Sequence, residues 1–148
     1  MAHLLNKPVH HPLSDDVQVI HDLQPNDINL DYIGLKVLDI KSGGNYEEAT
    51  EDFELCIVAL TGKVTVSDGT NTFEHIGTRD SVFEKIPTDS VYISKQHNIT
   101  IEAVTDARVI LCYAPADEVR ETQLIPASEN SIEARGKYSN KRHVHNIL

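Results

Sequence analysis

From Tyr32 onward, short apolar runs alternate with polar positions and are cut by turn residues every eight to twelve positions or so. In YIGLKVLDI, Ile33, Leu35 and Val37 alternate, then Leu38 and Ile40 shift the phase, which predicts a strand carrying a bulge. SGGNYEEATED reads as a loop with Gly43-Gly44 and the acids Glu47, Glu48, Glu51, Asp52 and, just beyond, Glu54. ELCIVAL, GKVTVSDG and NTFEHIG follow as strands, with Asp68-Gly69 as a hairpin turn. SVFEKIP, SVYISK, NITIEAV and ARVILCYAPA continue the series. Only PADEVRETQ and PASENSIEA have helical character, and each also suits a turn. Frequent turns between short strands predict an all-β barrel or sandwich rather than a parallel α/β sheet. Residues 1–31 are polar, interrupted by Pro8, Pro12 and Pro25, and read as an arm with one strand, VQVIH. At the other end, RGKYSNKR forms a basic loop and HVHNIL reads as the first half of a strand, so the chain is expected to be part of a longer polypeptide.

Composition narrows the function classes. A chain of 148 residues, 40% apolar and 24% charged, suits one globular domain with its own core. Aromatic residues make up 5%, Trp is absent and the net charge is -10, which disfavours a base-stacking or phosphate-binding surface. The N-terminus MAHLLNKPVHHPLSDD lacks the apolar segment of a secretory signal, and no apolar run approaches the roughly 20 residues that span a bilayer. A cytoplasmic, soluble protein is expected. Cys56 and Cys112 lie in the apolar runs CIVAL and VILCY and are read as two buried thiols rather than a disulfide or a reactive pair.

Taken together, YIGLKVLDIKSG, ELCIVALTGKVTV, SVFEKIPTDSVYI, YAPA and above all RGKYSNKRHVHNIL resemble the N-terminal half of a bicupin isomerase family. That family contains the 5-deoxy-glucuronate isomerases of myo-inositol catabolism and the 4-deoxy-5-hexosulose-uronate ketol-isomerases of pectin breakdown. The resemblance implies an all-β cupin (double-stranded β-helix) barrel over residues 32–134, built from two packed antiparallel sheets. An N-terminal arm at 1–31 precedes it, and a linker at 135–148 leads toward a second barrel absent from this chain. It also implies aldose–ketose isomerisation of 5-deoxy-D-glucuronate to 5-dehydro-2-deoxy-D-gluconate, a small uronate substrate, a homo-oligomer, and zinc held by the second barrel. Moving a proton next to a carbonyl needs a base and a positive group for the oxyanion, and a divalent metal suits the second task.

Cupin metal sites use His-x-His, because residues two apart on a strand share a face. Here Thr50 and Asp52 stand where those histidines would be, followed by Glu54, while Asp89 replaces the usual Gly and Tyr92 the last His. Such a set does not suit zinc, so neither a metal ligand nor a catalytic residue is assigned to this chain. Glu54 opens an apolar strand and is expected to point into the barrel, satisfied by Arg79 or Lys85. The acids of residues 47–54 otherwise read as a solvated loop. His143-x-His145 is the one close pair with strand spacing; it reads as a partial site or, more plainly, as a linker strand. Arg135, Lys137, Lys141 and Arg142 suit either a uronate carboxylate or a contact with another domain or subunit. The site residues expected for substrate or interdomain contact are therefore Arg142, His143 and His145. His3, His10, His11, His21, His75 and His97 have no evident partner in sequence, and no nucleophile elbow or phosphate loop is present. Two other functions stay open: a stand-alone, non-catalytic sugar-acid-binding cupin, and an isomerase completed by donating HVHNIL to a second copy.

Overall fold

The computed structural model describes residues 5–25 and 30–147. Residues 1–4 (with His3) and 26–29 of the expected arm, and Leu148 of the expected linker, lie outside these. Among the described residues thirteen strands follow in chain order: β1 (His11–Pro12), β2 (Val17–Leu23), β3 (Gly34–Ile40), β4 (Asn45–Ala49), β5 (Phe53–Thr61), β6 (Val64–Ser67), β7 (Thr72–Ile76), β8 (Ser90–Ile93), β9 (Asn98–Ala103), β10 (Ala107–Pro115), β11 (Gln123–Ile125), β12 (Ile132–Arg135) and β13 (Arg142–His145). A seven-stranded sheet runs β1-β2-β3-β10-β5-β8-β11, a four-stranded one runs β4-β9-β6-β7, and β12-β13 form a separate hairpin. The two larger sheets face each other as a sandwich and are not closed by hydrogen bonds into one continuous barrel.

Alternation along each strand decides what enters the space between the sheets. Leu55, Ile57 and Ala59 of β5, Val109 and Leu111 of β10, and Val91 and Ile93 of β8 face inward. They meet Val64 and Val66 of β6 and Ile99, Ile101 and Ala103 of β9. These side chains are almost fully buried, each large one contributing about 1.5–3 kcal/mol relative to exposure. Where strands end, backbones meet closely: a Cβ on Gly77, at φ +119°, would lie 2.2 Å from the carbonyl oxygen of Gly62.

Several expectations change in the fold. The bulge belongs to β2, where Val19 pairs with Leu38 and His21 with Val37, leaving Ile20 unmatched; β3 runs in unbroken register against β10. Its phase shift reflects instead a strand that is apolar on both faces. The expected loop SGGNYEEATED contains β4, which pairs with β9 because Tyr46 and Glu48 share its inner face. SVFEKIP is not a strand: Ser81 caps a 3-10 turn at Val82–Glu84, and Phe83 is exposed. Of the two helical candidates, PADEVRETQ forms no helix, and PASENSIEA yields a 3-10 turn at Ala127–Glu129 and then β12. VQVIH lies within β2 of the large sheet, where Val17 and Val19 join the core, and the 134/135 boundary falls inside β12.

Candidate functional site

Against this apolar interior, one polar cluster stands out. Inward alternation on β3 selects Lys36, Leu38 and Ile40, and on β10 Leu111 and Tyr113, which are register neighbours of Lys36 and Gly34. Tyr46 and Glu48 come across from β4 in the other sheet. The Lys36 ammonium, 9% exposed as a residue, donates to Tyr46 Oη and to Glu48 Oε2, both at 2.9 Å. Tyr46 donates a short hydrogen bond to the same carboxylate oxygen. Tyr113 donates to Glu48 Oε2 at 2.9 Å and reaches Oε1 at 3.1 Å. The ammonium also lies over both tyrosine rings, 5.6 and 5.7 Å from their centres, and 3.9 Å from Asp22 of β2. Phe53 closes the group edge-on against Tyr113.

Electrostatics fix the protonation of the tyrosines. Burial, then the Glu48 hydrogen bond and charge, push Tyr46 well above the ordinary phenol range. Burial followed by the Glu48 charge does the same to Tyr113. Both phenols thus remain neutral donors, and Glu48 accepts bonds from three side chains. The cluster is closed on itself: it ties β4 to the large sheet, and a polyol or sugar acid would enter only by replacing these bonds with its own. The sequence carried a faint trace of it, a lysine in an apolar strand and two polar residues two apart in an acidic run.

A fully buried carboxylate lies just past β6. Asp68 Oδ1 accepts from the Thr70 and Asn71 amides at 2.8 and 2.6 Å, and Oδ2 from Asn71 Nδ2 at 3.0 Å. Thr122 adds a short bond to Oδ2 from the segment between β10 and β11, and His97 Nε2 lies 4.0 Å away. Burial alone raises the carboxyl pKa, but the bonds from Thr122, Asn71 and Thr70 outweigh it and hold Asp68 well below the usual carboxylate range.

The residues at cupin ligand positions are scattered. Thr50 accepts the His97 amide, the exposed Asp52 pairs with a largely covered Lys95, and Asp89 bonds the amides of Gly77 and Ala127. Glu54 points to the outer face, not into the interior, because Leu55 takes the inward position; Tyr92 donates to it at 2.7 Å. Arg79 is occupied by the Leu60 and Ile86 carbonyls. These residues do not fit a zinc ion, and among the described residues no group of three His, Cys, Asp or Glu side chains converges. Arg142, His143 and His145 lie on β13, with His143 paired to Ala134 and His145 to Ile132, in a hairpin separate from the two larger sheets. Arg142 and His143 are exposed, and Arg135 is engaged by Glu133. An open pocket of about 670 Å³ lies elsewhere, lined by Ser14, Asp16, Lys41, Asp80, Val82 and Arg108 among others. Nor are Cys56 and Cys112 core thiols: they face outward from β5 and β10, Cys56 partly covered and Cys112 exposed. No helix of the described residues is long and apolar enough to cross a membrane.

Known proteins place this geometry. The fold matches an IolB-like protein from Salmonella typhimurium LT2 with a TM-score of 0.85 at 31% identity, covering 91% of this chain and 54% of that one. It matches the Cnp3 cupin domain of Schizosaccharomyces pombe with a TM-score of 0.51 at 13% identity, covering 72% and 69%, a likeness of fold alone. The two-sheet sandwich is thus a cupin. A 5-deoxy-glucuronate isomerase of Bacillus licheniformis is 53% identical over 148 residues, the whole of this chain and 55% of the relative. The chain therefore spans about half the length of the curated relatives it matches. Residues 5–148 match the model of the KduI/IolB family, and the chain belongs to that family.

Proposed function

We propose that this chain is the N-terminal half of an isomerase that converts 5-deoxy-D-glucuronate to 5-dehydro-2-deoxy-D-gluconate, and that this half is architectural. The observation that carries the reading is the 53% identity along the whole chain to isomerases of nearly twice its length. The reaction needs a free base beside the substrate carbon and an electrophile at the carbonyl oxygen. Glu48, a carboxylate facing the interior, is held by Lys36, Tyr46 and Tyr113, which supports a structural task for this half. Zinc and the proton-transferring groups are then assigned to the remaining half, in a cytoplasmic homo-oligomer. The exposed Arg142 and His143, with His145 beside them on β13, supply contacts toward that half or the uronate carboxylate.

The test compares turnover of 5-deoxy-glucuronate by the polypeptide of full family length with turnover by residues 1–148 alone. Activity confined to the longer protein, and lost on metal chelation, is the expected result. Equal rates from the two would sink the division of labour.

A further inference from the structure

The outer face of the seven-stranded sheet carries a feature outside this reading. Cys56 and Cys112 are direct register partners on β5 and β10, adjacent strands at the middle of the sheet. Because Leu55 and Ile57, and Leu111 and Tyr113, point into the core, both thiols point away from it on the same face. Residues opposite one another in an antiparallel pair have Cα atoms about 4.5–5.5 Å apart, within the roughly 4.4–6.8 Å that a disulfide spans. The two thiols are free, Cys112 exposed and Cys56 partly covered. Leu35 and Tyr92 extend the same row on either side.

We propose that Cys56 and Cys112 form a reversible thiol–disulfide site that reacts with low-molecular-weight disulfides. Accessibility sets the order of events. Burial pushes the Cys56 thiol up to about 11, with the neighbouring Cys112 adding to this, and raises the Cys112 thiol as well; Cys112 is the exposed one of the two and so meets the reagent first. Its thiolate attacks one sulfur of the small disulfide, forming a mixed disulfide and expelling one small thiolate. Cys56 then loses its proton and attacks Cys112 Sγ, expelling the second small thiolate and closing the cross-strand bond. Two protein thiols are oxidised, one small disulfide is reduced to two thiols, and no other reactant is needed.

The experiment incubates the natively expressed protein with glutathione disulfide at mildly alkaline pH, blocks free thiols by alkylation and measures intact and peptide masses. The expected product lacks both free thiols, carries no glutathione, is two hydrogens lighter than the reduced protein and yields a Cys56–Cys112 cross-linked peptide. Dithiothreitol restores both thiols. Cys56→Ser accumulates a glutathione adduct on Cys112, isolating the first step. A stable glutathione adduct on Cys112 in the unaltered protein would overturn the proposal, because Cys56 then fails to resolve it. Two thiols left free under these conditions would overturn it as well, because Cys112 is then closed to the reagent.

Discussion

Glu48 and Asp68 are both carboxylates withdrawn from bulk water, yet they are held by different means. Glu48 faces a buried ammonium and two phenols drawn from three strands in both sheets. Asp68 has side-chain oxygens fully shielded but only neutral donors in hydrogen-bonding range: two amides and Asn71 of its own turn, and Thr122 from a distant segment. The first is a cation–anion strut between elements far apart in sequence. The second is a local turn with one long-range tether. A buried ion pair gains little over an apolar filling but costs heavily when one partner is removed, whereas a carboxylate held by dipoles declares itself mainly through pH.

The largest effect is expected at Lys36. Lys36→Met leaves Glu48 without its cation among apolar and phenolic neighbours, and unfolding in denaturant should show a loss of about 3–5 kcal/mol. Adding Glu48→Gln to that variant should recover much of the loss, since the uncompensated charge is then gone. A Lys36→Met protein as stable as the parent would mean that the strut does not hold β4 in place.

Asp68→Asn comes next, with a loss of about 2–3 kcal/mol at neutral pH, because an amide cannot accept from every donor now facing the carboxylate. The sign of its pH dependence follows from the lowered folded-state pKa. The stability this group contributes is present above the unfolded-state value of about 4 and is lost as pH falls toward the folded value. The melting temperatures of parent and Asp68→Asn should therefore differ by a constant amount from neutral pH to about pH 5 and converge in stronger acid. A gap that persists unchanged to pH 2 would assign the effect to shape rather than charge.

Thr122→Val is the mildest of the three, costing about 1–2 kcal/mol by removing the tether while leaving the turn intact. Its effect should shrink sharply when measured in the Asp68→Asn background. Strict additivity of the two substitutions would show that Thr122 acts through some other contact.

Much of the fold was legible because alternation and turn chemistry act locally. Apart from SVFEKIP, the strand runs from ELCIVAL to ARVILCYAPA and the Asp68-Gly69 turn lie where the pattern puts them. Where the pattern failed, the cause was tertiary. SVFEKIP has strand-like residues, but Ser81 and Glu84 satisfy the turn's backbone groups mutually, and Phe83 has no sheet to join. Residues 45–49 look like an acidic loop, yet become an edge strand once β9 offers its backbone and Lys36 accepts the charge of Glu48. Glu54 was aimed at the interior by its place at the head of an apolar run; the phase of β5, set by Leu55, turns it outward to Tyr92.

By itself, then, the sequence determined that this is an all-β cupin chain of the KduI/IolB family, because short strand periods, glycine turns and a long match in residue order are properties of the linear chain. Only the tertiary structure decided which charges meet. Lys36 and Glu48 are 12 positions apart, Asp68 and Thr122 are 54, and Cys56 and Cys112 share a register only because β5 and β10 pair. Strand alternation says which of two faces a side chain takes, but the neighbour it finds there depends on sheet order and register, which no local pattern contains.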